Sequence, residues 1–448
     1  MHAHPGPRVE IRDPVHGAIP VSQRELAVID HPAVQRLRGI RQLGFSHLPF
    51  PGATHTRYVH SLGAMHLGGR AFDICFPVGG FVPAAKREAL RACLRLAALT
   101  HDLGHAPFSH AAEFAMPRLK ELNVSVFDAA CVGERLDERA SHEDYTIAVL
   151  TQSSLAQTIE AENPFTARHV AALVSADVAL HDDFFVVGGL DLRGVLSQLI
   201  SSELDVDRLD YLIRDSHYTG AMYGQIDLDW LLSHLCWHAV TDPASGAQRV
   251  VLAFDRRAIY AIDDFMIARF HMFVMVYFHQ KSIAYESMLR RCIENPACDY
   301  RLSANIDEYL QTDDEHLLAW LRASDDRWAR RIVQNRPFKL VVERHGKPGD
   351  VDVSREEGLL KDAGVEVMAV SATGAMSGWS DDAEAADAAP PLSGKPGIVV
   401  VDRVDGLSTN AKPLGSAATV YKRARCIGRV YVPPESVTQA LQVLGKSN

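Results

Sequence analysis

Histidine and aspartate are concentrated in four short segments of the sequence. These are THTRYVHSLGAMHLG (54–68), LTHDLGHAPFSHAAE (99–113), SHEDY (141–145) and SSELDVDRLDYLIRD (201–215). Imidazole nitrogens and carboxylate oxygens bind divalent transition metals, and imidazole also carries protons near neutral pH. The four segments therefore indicate a metal centre with acid–base groups beside it.

Helical spacing places several of these side chains on faces that point inward. Three such stripes follow the 3–4 spacing of a helix: Leu90, Leu94, Ala97 and His101; Leu204, Asp207, Tyr211 and Asp215; and His60, Ala64, Leu67 and Ala71. In the first stripe an acid, Asp102, follows the histidine directly. The spacing predicts that imidazoles and carboxylates enter the interior of one helical body.

Burying such groups without partners is costly, so the pattern requires a compensating cation or a water-filled cleft. His60, His101, Asp102 and Asp207 make a set of two nitrogen and two oxygen ligands. This set suits Mn, Fe, Zn, Ni or Co, with Mg also possible. One of these residues alone could be a hydrogen-bonded core residue, whereas the four together favour a shared divalent ion.

The elements that must position these residues are mostly helices. Apolar spacing predicts helices at 23–30, 33–42, 57–75, 84–102, 108–121, 142–151, 166–175, 193–203, 204–215, 227–235, 258–294 and 305–324. Residues 8–20 predict a strand pair, and residues 248–254 predict a strand of a small sheet. The fold class expected from this pattern is mainly α.

The pattern changes after about residue 335. Short β-rich runs, FKLVVER, VEVMAVSA, GIVVVDR and GRVYVPP, predict a small α+β C-terminal lobe over 336–448, next to a helical core over 1–335. Between two of these runs lies a stretch rich in Ala, Asp, Gly, Ser and Pro that has little to bury. It predicts a mobile loop near 373–396.

Composition narrows the class of protein. The 448 residues are 47% hydrophobic and 23% charged, which is typical of a globular chain and excludes a disordered or disulfide-framework protein. The formal charge of −10 makes nucleic acid an unlikely partner. Seven cysteines without a CxxC pair, no secretory signal and no long apolar run predict a cytoplasmic protein without a membrane span.

Longer motifs surround the candidate ligands: DPVHG (13–17), HPAVQRLRGIRQLG (31–44), FPGATHTRYVHSLG (50–63), HDLGHAPFSH (101–110) and DVDRLDYLIRD (205–215). Over roughly residues 9–290 the chain resembles the HD-domain metal-dependent phosphohydrolases, specifically the deoxynucleoside triphosphate (dNTP) triphosphohydrolases. The resemblance implies an HD-domain helical core with the divalent metal on the four ligands. It also implies cleavage of a dNTP at the α-phosphate, which releases a deoxynucleoside and inorganic triphosphate.

The resemblance extends to acid–base residues near the metal. His105, His110 and His142 are expected to ring the cleft, with His110 as the general acid to the leaving 5′-oxygen. Glu113 stands three residues after His110 and is expected to orient its ring, although family members tend to carry Asp there. A packing or capping role for His105 and His110 is the alternative.

The same resemblance predicts the residues that bind substrate. The phosphates are expected to bind Arg57, Arg208 and Arg269. The sugar is expected to contact Tyr211, Asp215 and Tyr277, and Gln42 matches a position near the base and the ribose. The alternative for each arginine is a solvated surface charge. For Gln42 and Tyr277 it is ordinary packing.

The regulatory features of the family match less fully. In animal relatives guanine nucleotides bridge subunits of a tetramer, and the matching positions here are Asp30, Gln35 and Arg38. Arg12 stands where those relatives carry Asn, and Trp230 where they carry Arg. A homo-oligomer, dimer or tetramer, is expected, without the sterile-alpha-motif module, because the core motifs begin within about ten residues of Met1.

Three other functions are compatible with the sequence. The metal site could act on another nucleotide, such as a monophosphate, a cyclic nucleotide or a specialised metabolite. The chain could be a non-catalytic nucleotide-binding scaffold, although such a protein typically lacks a ligand or a site histidine. Binding of single-stranded nucleic acid would require a basic groove with aromatic residues, and the helical part shows none clearly.

Overall fold

The structure, a computed structural model, describes residues 9–241, 248–347, 349–374, 398–404, 407–413 and 425–446. Most of the secondary structure there is helical, which confirms the mainly α prediction. In chain order the helices are α1 (Gln23–Ile29), α2 (Pro32–Gln35), α3 (Arg57–Cys75), α4 (Ala84–Thr100), α5 (Ala129–Val132), α6 (His142–Gln152), α7 (Leu155–Glu162), α8 (Ala167–Val174), α9 (Arg193–Ile200), α10 (Val206–Thr219), α11 (Leu228–Ser233), α12 (Ile259–Met272), α13 (Gln280–Ile293), α14 (Ile306–Tyr309), α15 (Asp314–Ala323), α16 (Arg327–Val333), α17 (Ser354–Asp362) and α18 (Val437–Val443).

Four small sheets accompany these helices. Their strands are β1 (Val9–Asp13), β2 (Gly17–Val21), β3 (Val186–Val187), β4 (Leu190–Asp191), β5 (Leu235–Thr241), β6 (Gln248–Asp255), β7 (Lys339–Gly346), β8 (Met368–Gly374), β9 (Val399–Val404), β10 (Leu407–Pro413) and β11 (Arg425–Val432). The strand orders are β1-β2, β3-β4, β10-β9-β6-β5 and β7-β11-β8. All pairs are antiparallel except β6 with β9, which is parallel.

Helices α3, α4 and α10 form the centre of the helical body and carry most of the polar segments. Helix α3 packs against both of the others, and its stripe of His60, Ala64, Leu67 and Ala71 is fully buried. The approach to α10 is close at Gly63, where a Cβ atom would lie 1.9 Å from Asp210 Oδ1. Only glycine fits where α3 crosses α10.

The helix predicted over 108–121 is wrong. Phe108 and Ser109 have φ angles of +55° and +58°, the left-handed region that side chains other than glycine rarely adopt. An α-helix cannot run through such residues, and the segment forms two 3₁₀ turns instead, Ser109–Ala115 and Leu119–Leu122. The apolar spacing did not reveal this turn, because the same spacing continues along the sequence on both sides of Phe108 and Ser109.

The single helix predicted over 258–294 is also wrong, since the chain there is divided in two. Helix α12 ends at Met272, a π-helical turn spans Phe273–Tyr277, and α13 begins at Gln280. The backbone N–H of Lys281 donates to the side chain of His279, which caps the start of α13. The turn brings Tyr277 to the wall of the central cavity.

The C-terminal segment has a small core of its own. Strands β7, β11 and β8 form one sheet. Valines of β7 and β11 pack with Leu360 of α17 and Ala440 of α18 in a hydrophobic cluster that is separate from the main core. Strand β9, however, pairs with β6, and Ala253 faces Val399 across the pair. The C-terminal segment therefore also extends the sheet of the helical body, and the proposed boundary at residue 335 stays a prediction.

Two expectations concern mobility and membranes. Residues 375–396 of the loop predicted near 373–396 lie outside the described residues, whereas 373–374 end strand β8. Of the helices in the described ranges, none combines the length and apolar character that a bilayer crossing requires.

Candidate active site

A cavity of about 490 Å³ opens at the centre of the helical body. This volume lies within the usual range of small-molecule sites. Ten of the residues predicted from the sequence line it: Gln42, Arg57, His101, Asp102, His105, His110, His142, Asp207, Tyr211 and Tyr277. Folding therefore brings residues from all four polar segments to one cavity.

The predicted metal ligands converge at the inner wall of this cavity. His60 Nε2 lies 2.9 Å from Asp207 Oδ1 and 3.6 Å from Asp102 Oδ2. His101 Nε2 lies 3.3 Å from Asp102 Oδ1 and 3.5 Å from Asp207 Oδ1. His101 Nδ1 donates to the carbonyl of Ala98, 2.8 Å away, which leaves Nε2 as its ligand atom.

The donor set fits a divalent cation. His60 is fully buried, yet its Nε2 makes no hydrogen bond of acceptable geometry. Burial lowers the pKa of His60, but the carboxylates of Asp207 and Asp210 outweigh burial and raise it to about 10. The surroundings of His60 therefore stabilise a positive charge. A divalent ion beside Nε2 would supply that charge and would also bind the carboxylates of Asp102 and Asp207.

An ionic network that is buried at Asp210, Arg214 and Asp13 and partly buried at His16 supports the His60 ring on the side of Nδ1. His60 Nδ1 donates to Asp210 Oδ2 at 2.7 Å, and His16 Nε2 lies 2.6 Å from Asp210 Oδ1. Arg214 donates to both oxygens of Asp210 and continues to Asp13 at 2.8 Å. Asp210 thus fixes the ring orientation of His60, as carboxylates commonly do behind metal-binding histidines.

Three histidines form a second cluster next to the metal ligands. His105 stacks face to face on His142 with ring centroids 4.0 Å apart, and His110 packs edge-on against both. Glu113 Oε1 accepts hydrogen bonds from Nδ1 of His110 at 2.9 Å and of His142 at 2.8 Å. The cluster approaches the predicted metal ligands through His105, whose Nε2 lies 3.2 Å from Asp102 Oδ1.

This cluster is better suited to proton transfer than to a second metal ion. Its ligand atoms lie within 4.8 Å of one another. A metal ion binds in the plane of an imidazole ring, however, so the stacked rings of His105 and His142 do not converge on one ion. Burial lowers the pKa of His105 well below its usual range, and the positive charges of Arg57 and His142 lower it further. The His105 ring therefore stays neutral at physiological pH.

The left-handed turn at Phe108 and Ser109 connects the two clusters. Ser109 Oγ accepts a hydrogen bond of 2.8 Å from Arg57 Nε, and Arg57 Nη1 donates to Asp102 Oδ2 at 2.5 Å. Asp314 of α15 stabilises the turn, because its Oδ1 accepts from Phe108 N at 2.6 Å. Burial raises the pKa of the Asp314 carboxyl to about 6, against the backbone hydrogen bonds that lower it.

The residues predicted to bind the sugar lie together. The Tyr277 hydroxyl donates to Asp215 Oδ2 at 2.8 Å, and His55 Nε2 lies 2.7 Å from Asp215 Oδ1. Tyr211 packs edge-on against Tyr277 at 6.1 Å. Both tyrosines line the cavity, whereas Asp215 lies behind them with both carboxylate oxygens engaged.

Two of the three predicted phosphate-binding arginines lie outside the cavity wall. Arg208 Nη1 is 3.6 Å from Asp205 Oδ2, and Arg269 Nη1 donates to Glu203 at 3.3 Å. Both arginines are held by acids at the start of α10. Arg57 alone of the three contacts the metal ligands in this conformation.

The possible nucleotide-sensing residues lie apart from the cavity wall. Arg38 donates to Gln35 Oε1 at 2.7 Å and covers the ring of Tyr58 at 3.7 Å. Asp30 is exposed at the end of α1. Trp230 is 45% exposed, and its Nε1 donates to the carbonyl of Arg257 at 3.3 Å. The regulatory role of these positions stays a prediction.

Comparisons with known proteins show what the chain is similar to. Residues 246–352 match a family model described as an HD associated region. An uncharacterized protein of Methanocaldococcus jannaschii, MJ1154, is 28% identical over 74% of this chain and 59% of its own length. The deoxynucleoside triphosphate triphosphohydrolase SAMHD1 of Gallus gallus is 25% identical over 72% of this chain and 52% of its own length.

The chain is thus similar to a deoxynucleoside triphosphate triphosphohydrolase and carries a segment that matches an HD associated region. It spans somewhat more than half the length of these two relatives. A crystal structure of a hypothetical protein from Aquifex aeolicus shares the fold, with a TM-score of 0.70, 23% identity and coverage of 98% of this chain and 100% of that one.

Sequence reasoning about the HD-domain motifs missed several residues that hold or line the site. Asp210 and Arg214 lie within the quoted DVDRLDYLIRD segment, and Asp13 and His16 within DPVHG. The three-residue spacing from Asp207 to Asp210 was the available signal, since it places both acids on one side of a helix. Glu286, which lines the cavity from α13, had no comparable signal.

Proposed function

We propose that this chain is a metal-dependent nucleotide phosphohydrolase that converts dNTPs to deoxynucleoside and inorganic triphosphate. One observation carries the proposal: a single cavity wall joins His101, Asp102 and Asp207 to the cluster of His105, His110 and His142. A phosphate bound between them would meet a cation on one side and a proton donor on the other. The triphosphohydrolase activity for which the similar Gallus gallus protein is named supports this substrate class.

His60, His101, Asp102 and Asp207 would hold the metal ion. When bound, a divalent ion supplies Lewis acidity to a phosphate oxygen and lowers the pKa of a nearby water. Asp210 keeps the His60 ring in place through the hydrogen bond to Nδ1. This contact would hold one of the four candidate ligands in its binding orientation before the ion arrives.

Arg57 is the cation placed to meet the phosphates. It is buried, it contacts Asp102, and it lines the cavity. The hydroxyl of Ser109 fixes the guanidinium through Nε, so little conformational entropy is lost when a phosphate binds. Arg57 would orient the α-phosphate for attack.

His110 would act as the general acid. The water oxygen bonds to the α-phosphorus and releases a proton to solvent, the bond from phosphorus to the 5′-oxygen breaks, and His110 gives a proton to the departing oxygen. Its Nδ1 donates to Glu113, which orients the ring and leaves Nε2 for the transfer. The His110 side chain is 65% exposed, so solvent can return the proton afterwards.

Tyr277 and Tyr211 would select deoxyribose. Their rings are arranged edge to face at the cavity wall, and Asp215 and the π-helical turn hold Tyr277. An aromatic face packed against the 2′ carbon leaves no room or partner for an extra hydroxyl. Ribonucleotides would therefore be poorer substrates.

Product analysis tests the proposal. The purified protein with Mn²⁺ is incubated with each dNTP, with and without GTP, and the products are separated by ion-exchange chromatography. Inorganic triphosphate and deoxynucleoside in equal amounts are expected, and none from the Asp207→Ala variant. Orthophosphate or pyrophosphate as the product would refute the reaction, and nucleotide binding without turnover would indicate a scaffold.

A further inference from the structure

Helix α13 contributes two residues to the cavity wall, Ile283 and Glu286, one turn apart. Phe273, the first residue of the π-helical turn, and Phe278, which follows that turn, line the cavity with them. This part of the wall is mostly apolar, and a carboxyl group in such a setting requires an explanation.

The Glu286 carboxyl makes no hydrogen bond or ion pair with any part of the chain that the structure describes. Nearby polar groups are engaged elsewhere: Ser46 and Ser282 bond each other at 3.0 Å, and Lys281 donates to the carbonyl of Leu48 at 3.2 Å. Burial raises the pKa of Glu286 to about 7. No hydrogen bond or ion pair within the described residues thus explains why an acid stands at this position.

Gln42 shows the same feature on the wall of the same cavity. Its side-chain oxygen is buried and lacks a hydrogen-bond partner among the described residues. Buried polar groups are nearly always satisfied, and those left open in a pocket are commonly satisfied by its ligand. Glu286 is half-buried on the cavity wall, and Gln42 lines the same cavity with an oxygen that no described residue satisfies. Together they suit a ligand that has hydrogen-bonding edges.

We propose that Glu286 reads the nucleobase, and that with Gln42 it makes guanine the preferred base and thymine the poorest. This inference rests on the proposed function. Guanine offers two adjacent donors, its ring N1–H and its 2-amino group, which match the two oxygens of a carboxylate. Adenine and cytosine offer one amino group. Thymine offers one ring N–H between two carbonyl oxygens, which repel a carboxylate.

The experiment measures kcat/KM of the Mn²⁺-loaded enzyme for each dNTP. The variants are Glu286→Gln, which keeps the shape but only one acceptor oxygen, and Gln42→Ala, which changes the other unsatisfied residue. Glu294→Gln is the matched control, because Glu294 follows α13, is exposed and pairs with Arg290. Metal content and circular dichroism establish that each variant is folded and loaded.

Wild type should favour dGTP over dTTP, and Glu286→Gln should shrink that ratio by about tenfold or more, which is typical for loss of a hydrogen bond to a charged group. Gln42→Ala should shrink it in the same direction, and Glu294→Gln should leave it unchanged. Triphosphate release with the same base profile in wild type and Glu286→Gln overturns base reading alone. No triphosphate from any dNTP overturns the proposed function and base reading with it.

Discussion

The carboxylate of Asp314 accepts a hydrogen bond of 2.6 Å from the backbone N–H of Phe108, 206 residues earlier in the chain. Phe108 is the first of the two left-handed residues between His105 and His110. Tyr309 holds the same loop, because its hydroxyl donates to the carbonyl of Gly104 at 2.7 Å. Both Asp314 and Tyr309 belong to the segment that matches the HD associated region. That segment therefore stabilises the loop that carries the histidine cluster.

Asp314→Asn should weaken this contact. One carboxylate oxygen accepts from Phe108 and the other from Arg41 N at 3.1 Å, whereas an amide has a single oxygen. We expect the free energy of unfolding to fall by about 1–3 kcal/mol, and kcat to fall while metal content is retained. Denaturant titration, metal analysis and dNTP turnover measure the three quantities. Asp325→Asn is the control, because that side chain is 97% exposed. An unchanged kcat in Asp314→Asn would show that the turn does not need this acid.

Asp210→Asn should weaken metal binding without removing a ligand. The amide cannot accept from His60 Nδ1 as strongly as the carboxylate, and Arg214 loses one of its two buried counter-charges, keeping Asp13. Loss of such a partner typically reduces metal affinity by about 10–100-fold. Titration of the metal-free protein with Mn²⁺ measures the effect. Asp229→Asn, in an exposed pair with Arg70, should bind as wild type does.

Asp207→Ala and His110→Ala should separate metal binding from proton transfer. Asp207 is a predicted ligand, so its loss should remove both bound metal and turnover. His110 lies in the neighbouring cluster, so its loss should leave metal content intact and lower kcat by about 10²–10⁴-fold. Metal analysis beside single-turnover kinetics distinguishes the two effects. Equal metal content in wild type and Asp207→Ala would remove Asp207 from the ligand set.

The buried pair of Glu25 and Arg95 predicts a dependence of stability on pH. Burial alone would raise the pKa of Glu25, but the charge and hydrogen bond of Arg95 outweigh it and hold that pKa below its usual value. Because the folded pKa is lowered, the pair stabilises the protein above the unfolded pKa of about 4.3 and loses its effect as the pH falls through the folded value.

Glu25→Gln tests this pair, since it leaves Arg95 buried without a counter-charge. The variant should lose about 3–5 kcal/mol of unfolding free energy at pH 7, and its difference from wild type should shrink as the pH is lowered below about 4. Denaturant unfolding across this pH range measures the difference. A difference that does not depend on pH would mean that the acid contributes packing rather than charge.

Helical periodicity in the sequence located His101 but not the breaks in the helices at Phe108 and at Phe273–Tyr277. The apolar spacing of α4 placed His101 at the inner end of a buried stripe because helical periodicity is a local property of the chain. The same spacing ran undisturbed through Phe108 and through the π-helical turn at Phe273–Tyr277, where the structure breaks the helix. Backbone strain held by a distant acid leaves no trace in local periodicity.

The sequence by itself determined the mainly α fold and the residue types of the candidate metal set, since both follow from spacing within single segments. Only the tertiary structure decided which acid orients His60, which acid holds the turn at Phe108, and which polar side chains face the cavity without a partner. The contacts of His16 with Asp210 and of Phe108 with Asp314 join residues 194 and 206 positions apart. No repeat along the chain relates such residues, and they meet only because burial of the helical stripes brings their segments together.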